Sequence, residues 1–78
     1  MECTLSELLP EEAAVVTRVE LPELQVRRLA AFGLVPGTGV QCRLRGGKGR
    51  ILALEFRGCV VALRRRQLLG IAGKRVTV

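Results

Sequence analysis

One stretch of the sequence decides the fold: Val40-Gln41-Cys42-Arg43-Leu44-Arg45-Gly46-Gly47-Lys48-Gly49-Arg50-Ile51-Leu52-Ala53-Leu54-Glu55-Phe56-Arg57-Gly58-Cys59-Val60-Val61-Ala62-Leu63. Apolar residues alternate with others in its first two runs, at Val40, Cys42 and Leu44 and then at Leu52, Leu54 and Phe56. This period of two is typical of strands with one buried face. The third run, residues 59–63, is apolar throughout, which predicts a central strand. The glycine-rich loop 46–49 and a tight reversal at Arg57-Gly58 separate the runs, so we predict two consecutive hairpins.

A helix and a turn precede these hairpins. Pro22 suits the first helical position and Gly33 suits the residue that ends a helix. The buried side of this helix is predicted to carry Val26, Leu29 and Phe32. In the segment 34–39, Pro36 fixes φ and Gly37 accepts a positive φ, which predicts a type II turn. Four residues are therefore assigned to structural turns: Gly33, Pro36, Gly37 and Gly58.

The ends of the chain add shorter elements. Thr4 and Glu7 have the spacing of a capping box, which predicts one helical turn before Pro10. Residues 12–20 predict a strand with Val15, Thr17 and Val19 on one face and Val16, Arg18 and Glu20 on the other. A short helix or 3₁₀ turn is predicted over 64–71 and a closing strand over 75–78. Together these elements predict one mainly β domain over residues 1–78, a small barrel of about five strands with two or three short helices.

Composition excludes most enzyme chemistry. The chain has no His, Asp, Asn, Tyr or Trp, so no Ser-His-Asp or Cys-His constellation can form within it. We assign no catalytic residue, cofactor or intrinsic metal site, because imidazole and paired thiolates are missing and most Glu residues lie in the first third. Cys42 and Cys59 fall in apolar segments and are predicted to be buried thiols. Metal bridging between chains by Cys3 or surface Glu is left open.

Charge is unevenly distributed along the sequence. The net charge is +6, with a net of −5 over residues 1–23 and +11 over residues 24–78. Arg43, Arg45 and Arg57 are predicted to lie on outward strand faces. The candidate partner-binding residues are Arg28, Arg43, Arg45, Lys48, Arg50, Arg64, Arg65 and Arg66. A solvated face whose arginine stems cover apolar surface is the alternative for 64–66.

The basic segments also raise two other kinds of site, a phosphate-binding loop and a nucleic-acid-binding surface. Lys48 in the loop 46–50 is followed by Gly49 and a strand instead of Ser or Thr and a helix, so a hairpin tip is favoured over a phosphate-binding loop. A contiguous basic surface could also bind nucleic acid without regard to sequence. Both Phe residues are assigned to the core, and the lack of surface aromatic residues argues against a reader of single strands.

Several motifs together resemble the FeoA family of bacterial ferrous iron uptake. They are Leu5-Ser6-Glu7-Leu8, Arg28-Leu29, Phe32-Gly33-Leu34-Val35-Pro36-Gly37, Gly58, and Val61-Ala62-Leu63-Arg64. Glu11 stands where the family commonly has Gly. The resemblance implies an SH3-like barrel that docks on FeoB, a membrane transporter with a cytoplasmic GTPase domain, and modulates it without binding a substrate.

The resemblance and the composition together predict where the protein acts in the cell. The acidic N-terminus and the short apolar runs predict a cytoplasmic protein without signal or membrane span, peripheral to the membrane through its partner. A homo-oligomer is compatible with the sequence. Two alternatives remain: a non-specific nucleic-acid-binding barrel, and a stand-alone relative of the barrel that ends iron-dependent repressors. A chain of 78 residues with its own start favours the transport accessory.

Overall fold

One antiparallel sheet of six strands forms the body of the protein, in a computed structural model that describes residues 2–76. The elements in chain order are β1 (Glu2–Thr4), a 3₁₀ turn (Leu5–Glu7), β2 (Ala13–Val19), α1 (Glu23–Ala31), β3 (Gly39–Gly46), a second 3₁₀ turn (Gly47–Gly49), β4 (Ile51–Phe56), β5 (Cys59–Arg64), α2 (Arg65–Leu68) and β6 (Ile71–Val76). The strand order is β1-β6-β2-β3-β4-β5. The predicted mainly β class is confirmed, with β1 as one strand more than expected.

The core lies on one face of this sheet. Leu52, Leu54 and Phe56 of β4 are buried, as their alternation predicts. The N-terminal segment contributes Leu5 and Leu8, both fully buried. The remaining buried apolar side chains are Ala14, Val16, Leu29, Leu34, Val40, Cys42, Leu68 and Ile71. Residues from the first turn to β6 therefore share one core. None of the helices within residues 2–76 is long and apolar enough to cross a membrane.

The helix α1 ends in a Schellman motif. The Leu34 N–H donates to the Leu29 carbonyl at 2.9 Å, and the Gly33 N–H donates to the Ala30 carbonyl at 2.9 Å. Gly33 has φ +92°, the left-handed conformation that this motif needs. Leu29 and Leu34 are both buried, whereas Phe32 is 60% exposed. The prediction that Phe32 is buried is wrong, because the motif turns Leu34 into the core beside Leu29 instead.

Two tight turns organise the hairpins. Gly37 has φ +94°, and the Thr38 N–H donates to the Val35 carbonyl at 3.0 Å, so residues 35–38 form the type II turn. Between β4 and β5, Arg57 and Gly58 have φ +52° and +77°. Two consecutive positive φ values define a type I′ turn, which matches the twist of the two strands it joins.

Bulges break the regular alternation of two strands. The register of β2 shifts between Val16 and Arg18, and that of β3 shifts between Cys42 and Leu44. A bulge reverses which face the following residues occupy. The unbroken two-face pattern predicted for 12–20 is therefore wrong. Leu44, predicted to alternate inward with Val40 and Cys42, is 61% exposed.

The position of β5 in the sheet and the start of β6 also differ from the predictions. β5 was predicted to be central but lies at the end of the sheet, paired with β4 on one side. An unbroken apolar run cannot by itself distinguish a central strand from an edge whose apolar face is exposed. β6 begins at Ile71 and pairs with both β1 and β2, so the closing strand starts earlier than the predicted 75–78. Residues 77 and 78 of that prediction lie outside the described residues.

Glu11 marks the turn between the first 3₁₀ turn and β2. Its φ is +75°, a left-handed conformation that costs a residue with a Cβ about 1–2 kcal/mol. The Glu11 N–H donates to the Cys42 carbonyl at 2.7 Å, and this bond fixes the turn against β3. A residue without a Cβ would adopt this conformation at no steric cost.

Candidate docking surface

Part of the outer face of β3, β4 and β5 is apolar and exposed, and Glu55, which pairs with Val60, borders it. The strand register places Leu44 beside Ala53 and Ala53 beside Ala62, so one row crosses all three strands. Leu44 is 61% exposed, and two further members, Val60 and Ile51, are 59% and 44% exposed. We call this surface the apolar sheet face; it consists of Leu44, Ile51, Ala53, Val60 and Ala62. Contiguous exposed apolar surface of this kind is typical of an interaction site.

The β3 bulge creates part of this surface. Before the bulge Cys42 is fully buried, opposite Leu54. After it, Arg45 pairs with Leu52 on the inner side and Leu44 with Ala53 on the outer side. The exposure of Leu44 therefore follows from the register shift and not from its residue type.

An arginine groove borders the apolar sheet face. Arg64 pairs directly with Ile51 in the register of β4 and β5. The Arg65 N–H donates to the Arg50 carbonyl at 2.7 Å, and this bond ties the start of α2 to the loop before β4. The groove has a volume of about 470 Å³ and is lined by Arg50, Ile51, Arg64, Arg65 and Arg66. Four of the eight predicted partner-binding cations thus lie together.

The arginines of the groove form no ion pair among the described residues. Within residues 2–76, no carboxylate lies in ion-pairing distance of Arg50, Arg64, Arg65 or Arg66. Four like charges around one groove repel one another, so binding an anionic group there relieves repulsion as well as adding attraction. The arrangement favours a partner with acidic groups beside apolar ones.

Arg43 and Arg45, also predicted to bind a partner, have contacts within the chain instead. The Arg43 guanidinium donates to Glu55 at 2.5 Å and lies 3.5 Å from a carboxylate oxygen of Glu11. The hydrogen bond to Glu55 and the charge of that carboxylate raise the pKa of Arg43. The Arg45 guanidinium donates to the Leu8 carbonyl at 2.9 Å and the Ser6 carbonyl at 3.2 Å. The predicted outward position of Arg45 is wrong, because the β3 bulge turns its side chain toward the N-terminal segment.

Arg28 and Lys48 lie apart from the arginine groove. Arg28 is exposed in the last turn of α1. Lys48 is exposed at the tip of the β3–β4 loop, with φ +60°. Neither residue lines the groove. Their side chains are available to solvent, but the fold does not bring them to the other cations of the set.

The three cysteines occupy different environments. Cys42 is fully buried, and burial raises the pKa of its thiol. Cys3 is half-buried, and burial likewise raises the pKa of its thiol. Cys59 is exposed at the start of β5, so the prediction of a buried thiol is wrong there. The thiol is exposed because β5 lies at the edge of the sheet. Across residues 2–76 no group of three or more cysteine and glutamate side chains is placed to hold a metal ion.

Sequence reasoning did not identify the apolar sheet face. It placed Leu44 in the core and treated β5 as central, and both errors removed apolar residues from the surface. A signal was present in the third run, since residues 59–63 lack the alternation that β4 shows next to them. All four arginines of the groove were among the candidate residues, but the sequence did not show that they meet. The backbone bond from Arg65 brings Arg50 to them, and the β4–β5 register adds Ile51.

Comparison with known proteins gives consistent similarities. A model of the FeoA domain matches residues 3–78. The solution structure of the FeoA protein from Chlorobium tepidum is 28% identical with a TM-score of 0.90, and the match covers 96% of this chain and 71% of that one. FeoA from Stenotrophomonas maltophilia, a prokaryotic SH3 domain protein complexed with zinc, is 29% identical with a TM-score of 0.77, over 92% of this chain and 89% of that one. A search of curated protein sequences gave no match.

A likeness to repressors also exists at the level of the fold. A manganese-dependent transcriptional repressor is 13% identical with a TM-score of 0.85, and the match covers 96% of this chain but 42% of that one. At this identity the comparison shows a shared fold alone. The SH3-like architecture that the family resemblance implies is confirmed by the match to the prokaryotic SH3 domain protein from Stenotrophomonas maltophilia.

Proposed function

Because the chain belongs to the FeoA domain family, we propose that it is a non-enzymatic accessory protein of ferrous iron uptake. In this proposal its single domain, residues 1–78, docks in the cytoplasm on a FeoB-type GTPase transporter and modulates transport. It is peripheral to the membrane through that partner and holds no substrate of its own. The family is one of small accessory domains associated with ferrous iron transport.

One observation carries the docking proposal: the apolar sheet face lies directly beside the arginine groove. A surface that recognises a folded protein commonly combines exposed apolar side chains with a charged rim. Here Leu44 and Val60 provide the apolar part, and Arg64 follows in the same row of outward residues as Ile51. A partner with an apolar patch and acidic groups complements both parts at once.

Binding to the cytoplasmic region of the cognate transporter tests the proposal. We expect a 1:1 complex by isothermal titration calorimetry, and Leu44→Gln to weaken it by about tenfold or more, since a buried leucine side chain contributes about 1.5–3 kcal/mol. Leu9→Gln is the matched control, because Leu9 is 57% exposed and lies outside the apolar sheet face. Its affinity should equal that of the unsubstituted protein.

Two results would contradict the docking proposal. The first is no binding to the transporter region in the absence and in the presence of guanine nucleotides. The second is equal weakening by Leu44→Gln and Leu9→Gln, which would indicate a surface other than the apolar sheet face.

The arginine groove supports a second candidate function, binding of nucleic acid without sequence preference. Four arginines that each neutralise a phosphate predict affinity for duplex DNA that falls about a hundredfold between about 50 and 200 mM salt. Surface aromatic residues for stacking are few, since Phe32 is exposed and Phe56 is buried. A salt titration with a mixed-sequence duplex decides: a flat response or no binding removes this candidate.

A further inference from the structure

The outer edge of β5 is open. Among residues 2–76, β5 ends the sheet and has β4 as its one neighbour, on its inner side. The two-residue turn makes Phe56 and Cys59 a hydrogen-bonded pair, so the backbone groups of Val60 and Ala62 point away from β4. The Arg64 N–H is the next in this outward series, and it donates to the Gln67 side-chain oxygen at 3.2 Å. Along residues 2–76, no group bonds to the outward N–H and C=O groups of Val60 and Ala62.

The two edge strands of the sheet, β1 and β5, differ in length and charge. β1 has three residues, and at its end the Glu2 carboxylate accepts hydrogen bonds from Thr17 at 2.9 Å and Arg18 at 3.2 Å. β5 has six residues, and its first five carry neither charge nor proline. Charge, proline and short length are the usual devices that protect an edge from pairing with another strand. The edge of β5 lacks all three until Arg64.

A cationic pocket lies where the open edge ends. Its volume is about 420 Å³, and it is lined by Leu21, Pro22, Gln25, Arg64, Arg66 and Gln67. Gln67 is the residue that caps the Arg64 N–H, so the pocket follows on from the edge. Arg64 and Arg66 have no carboxylate in ion-pairing distance within residues 2–76. A chain that runs along β5 past Ala62 therefore reaches two unpaired guanidinium groups.

We propose that the edge of β5 accepts an extended acidic segment of the transporter as a seventh, antiparallel strand. The segment exchanges backbone hydrogen bonds with Val60 and Ala62, packs alternate apolar side chains beside the apolar sheet face, and places a carboxylate near its N-terminal end between Arg64 and Arg66. Strand addition of this kind derives affinity from the main chain and specificity from side-chain pockets. That the segment belongs to the transporter rests on the proposed function. That the edge of β5 can accept a strand does not.

Amide exchange on the ¹⁵N-labelled protein tests the pairing directly. The cytoplasmic region of the transporter should slow exchange of the Val60 and Ala62 amides by tenfold or more, because both become hydrogen-bonded. Exchange at Val61 should change less, since that amide already pairs with β4. Binding that protects another surface and leaves Val60 and Ala62 unchanged would overturn the proposal while the docking function stands.

Two substitutions separate the edge from the pocket. Ala62→Pro removes an outward N–H without removing a bond to β4, and proline is tolerated at such edge positions. We expect it to remain folded by circular dichroism and to bind the transporter region about tenfold more weakly. Val61→Pro removes an inward N–H and should unfold the hairpin, which checks the assignment of the edge.

Arg66→Gln should weaken binding and reduce its salt dependence, whereas Arg28→Gln, on α1 and outside the pocket, should do neither.

A synthetic peptide provides an arm that does not depend on the transporter. The probe is a capped peptide with two glutamates followed by alternating valine and threonine, and its control carries lysines in place of the glutamates. If the acidic peptide protects Val60 and Ala62 and the basic one does not, the acceptor edge stands even where the transporter region fails to bind. If neither the peptide nor the transporter protects these amides, the proposal is wrong. If Ala62→Pro unfolds, the amide measurements on the unsubstituted protein decide.

Discussion

β4 and β5 are neighbours of equal length with opposite relations to the core. β4 alternates strictly, and Leu52, Leu54 and Phe56 are buried while the residues between them are not. β5 is more uniformly apolar, yet Val60 is 59% exposed and none of its six residues is fully buried. Hydrophobic content alone therefore does not order the two strands by burial. The position of a strand in the sheet, central or terminal, decides how many of its faces are covered.

The apolar side chains of β5 and β4 differ in what they contribute to stability. A buried apolar side chain contributes to the free energy of folding, but an exposed one at an edge contributes little to it and carries a risk of aggregation. The exposed apolar residues of β5 are adjacent to the arginine groove and to the open edge. These are the features that the proposed docking function uses.

Truncation of one residue in each strand gives the sharpest test of this comparison. Leu54→Ala should lower the free energy of unfolding by about 2–5 kcal/mol, because it leaves a cavity in the core. Val60→Ala should change it by less than about 0.5 kcal/mol, since the side chain is mostly in solvent. Urea denaturation of both variants measures the two values. Similar losses would mean that β5 is covered in solution, for example by a second copy of the chain.

Two glycines test how the turn between β4 and β5 is held. The Arg57 side chain of that turn donates to the Gly33 carbonyl at 3.2 Å, and a Cβ on Gly33 would lie 2.4 Å from Arg57 Cδ. Gly37 has a similar φ with no atom near its Cβ position. Gly37→Ala should therefore cost about 1–2 kcal/mol of strain. Gly33→Ala should cost about 1 kcal/mol more, because Arg57 must move and lose its hydrogen bond.

Thermal unfolding of the two glycine variants measures this difference. A larger loss for Gly37→Ala than for Gly33→Ala would show that Arg57 does not hold the β4–β5 turn against the end of α1.

The smallest expected effect concerns the opposite edge of the sheet. The Glu7 carboxylate accepts the Thr4 N–H at 3.0 Å, and this hydrogen bond holds the pKa of Glu7 below its ordinary 4.5. A carboxyl with a lower pKa in the folded state stabilises the fold above the unfolded-state pKa, and this contribution is lost as the pH falls through the folded-state value. The free energy of unfolding should fall below about pH 4.5 less steeply in Glu7→Gln than in the unsubstituted protein.

Urea denaturation between pH 3 and 6 checks the expectation for Glu7. Parallel pH profiles for the two proteins would show that the contact with Thr4 does not persist in solution.

Much of the fold could be predicted from local sequence signals. The alternation of β4, the turn residues Pro36 and Gly37, and the glycine after α1 each act through neighbours in the chain, so their effect is visible in the sequence. The Schellman motif was predicted only as a stop at Gly33. That Leu34 and not Phe32 enters the core depends on which side chain the motif turns inward, and this is fixed by packing.

The sequence predicted which charged residues the candidate site contains, but not how the fold arranges them. Arg64, Arg65 and Arg66 are adjacent in the sequence, so their proximity needs no fold. Arg50 joins them through a backbone bond from Arg65 to its carbonyl, and Arg45 leaves the set because the β3 bulge turns it inward. Bulges depend on the fit between two strands, and a single strand's sequence does not report that fit.

The sequence by itself determined the class of fold, the family and the residue types that the chain lacks, because periodicity, turn residues and composition are properties of the chain. Tertiary structure alone decided that β5 is an edge, that Leu44 faces solvent, and that four arginines surround one groove. Each of these depends on which strands pair and in which register. A shift of one residue in that register exchanges the buried and the exposed faces.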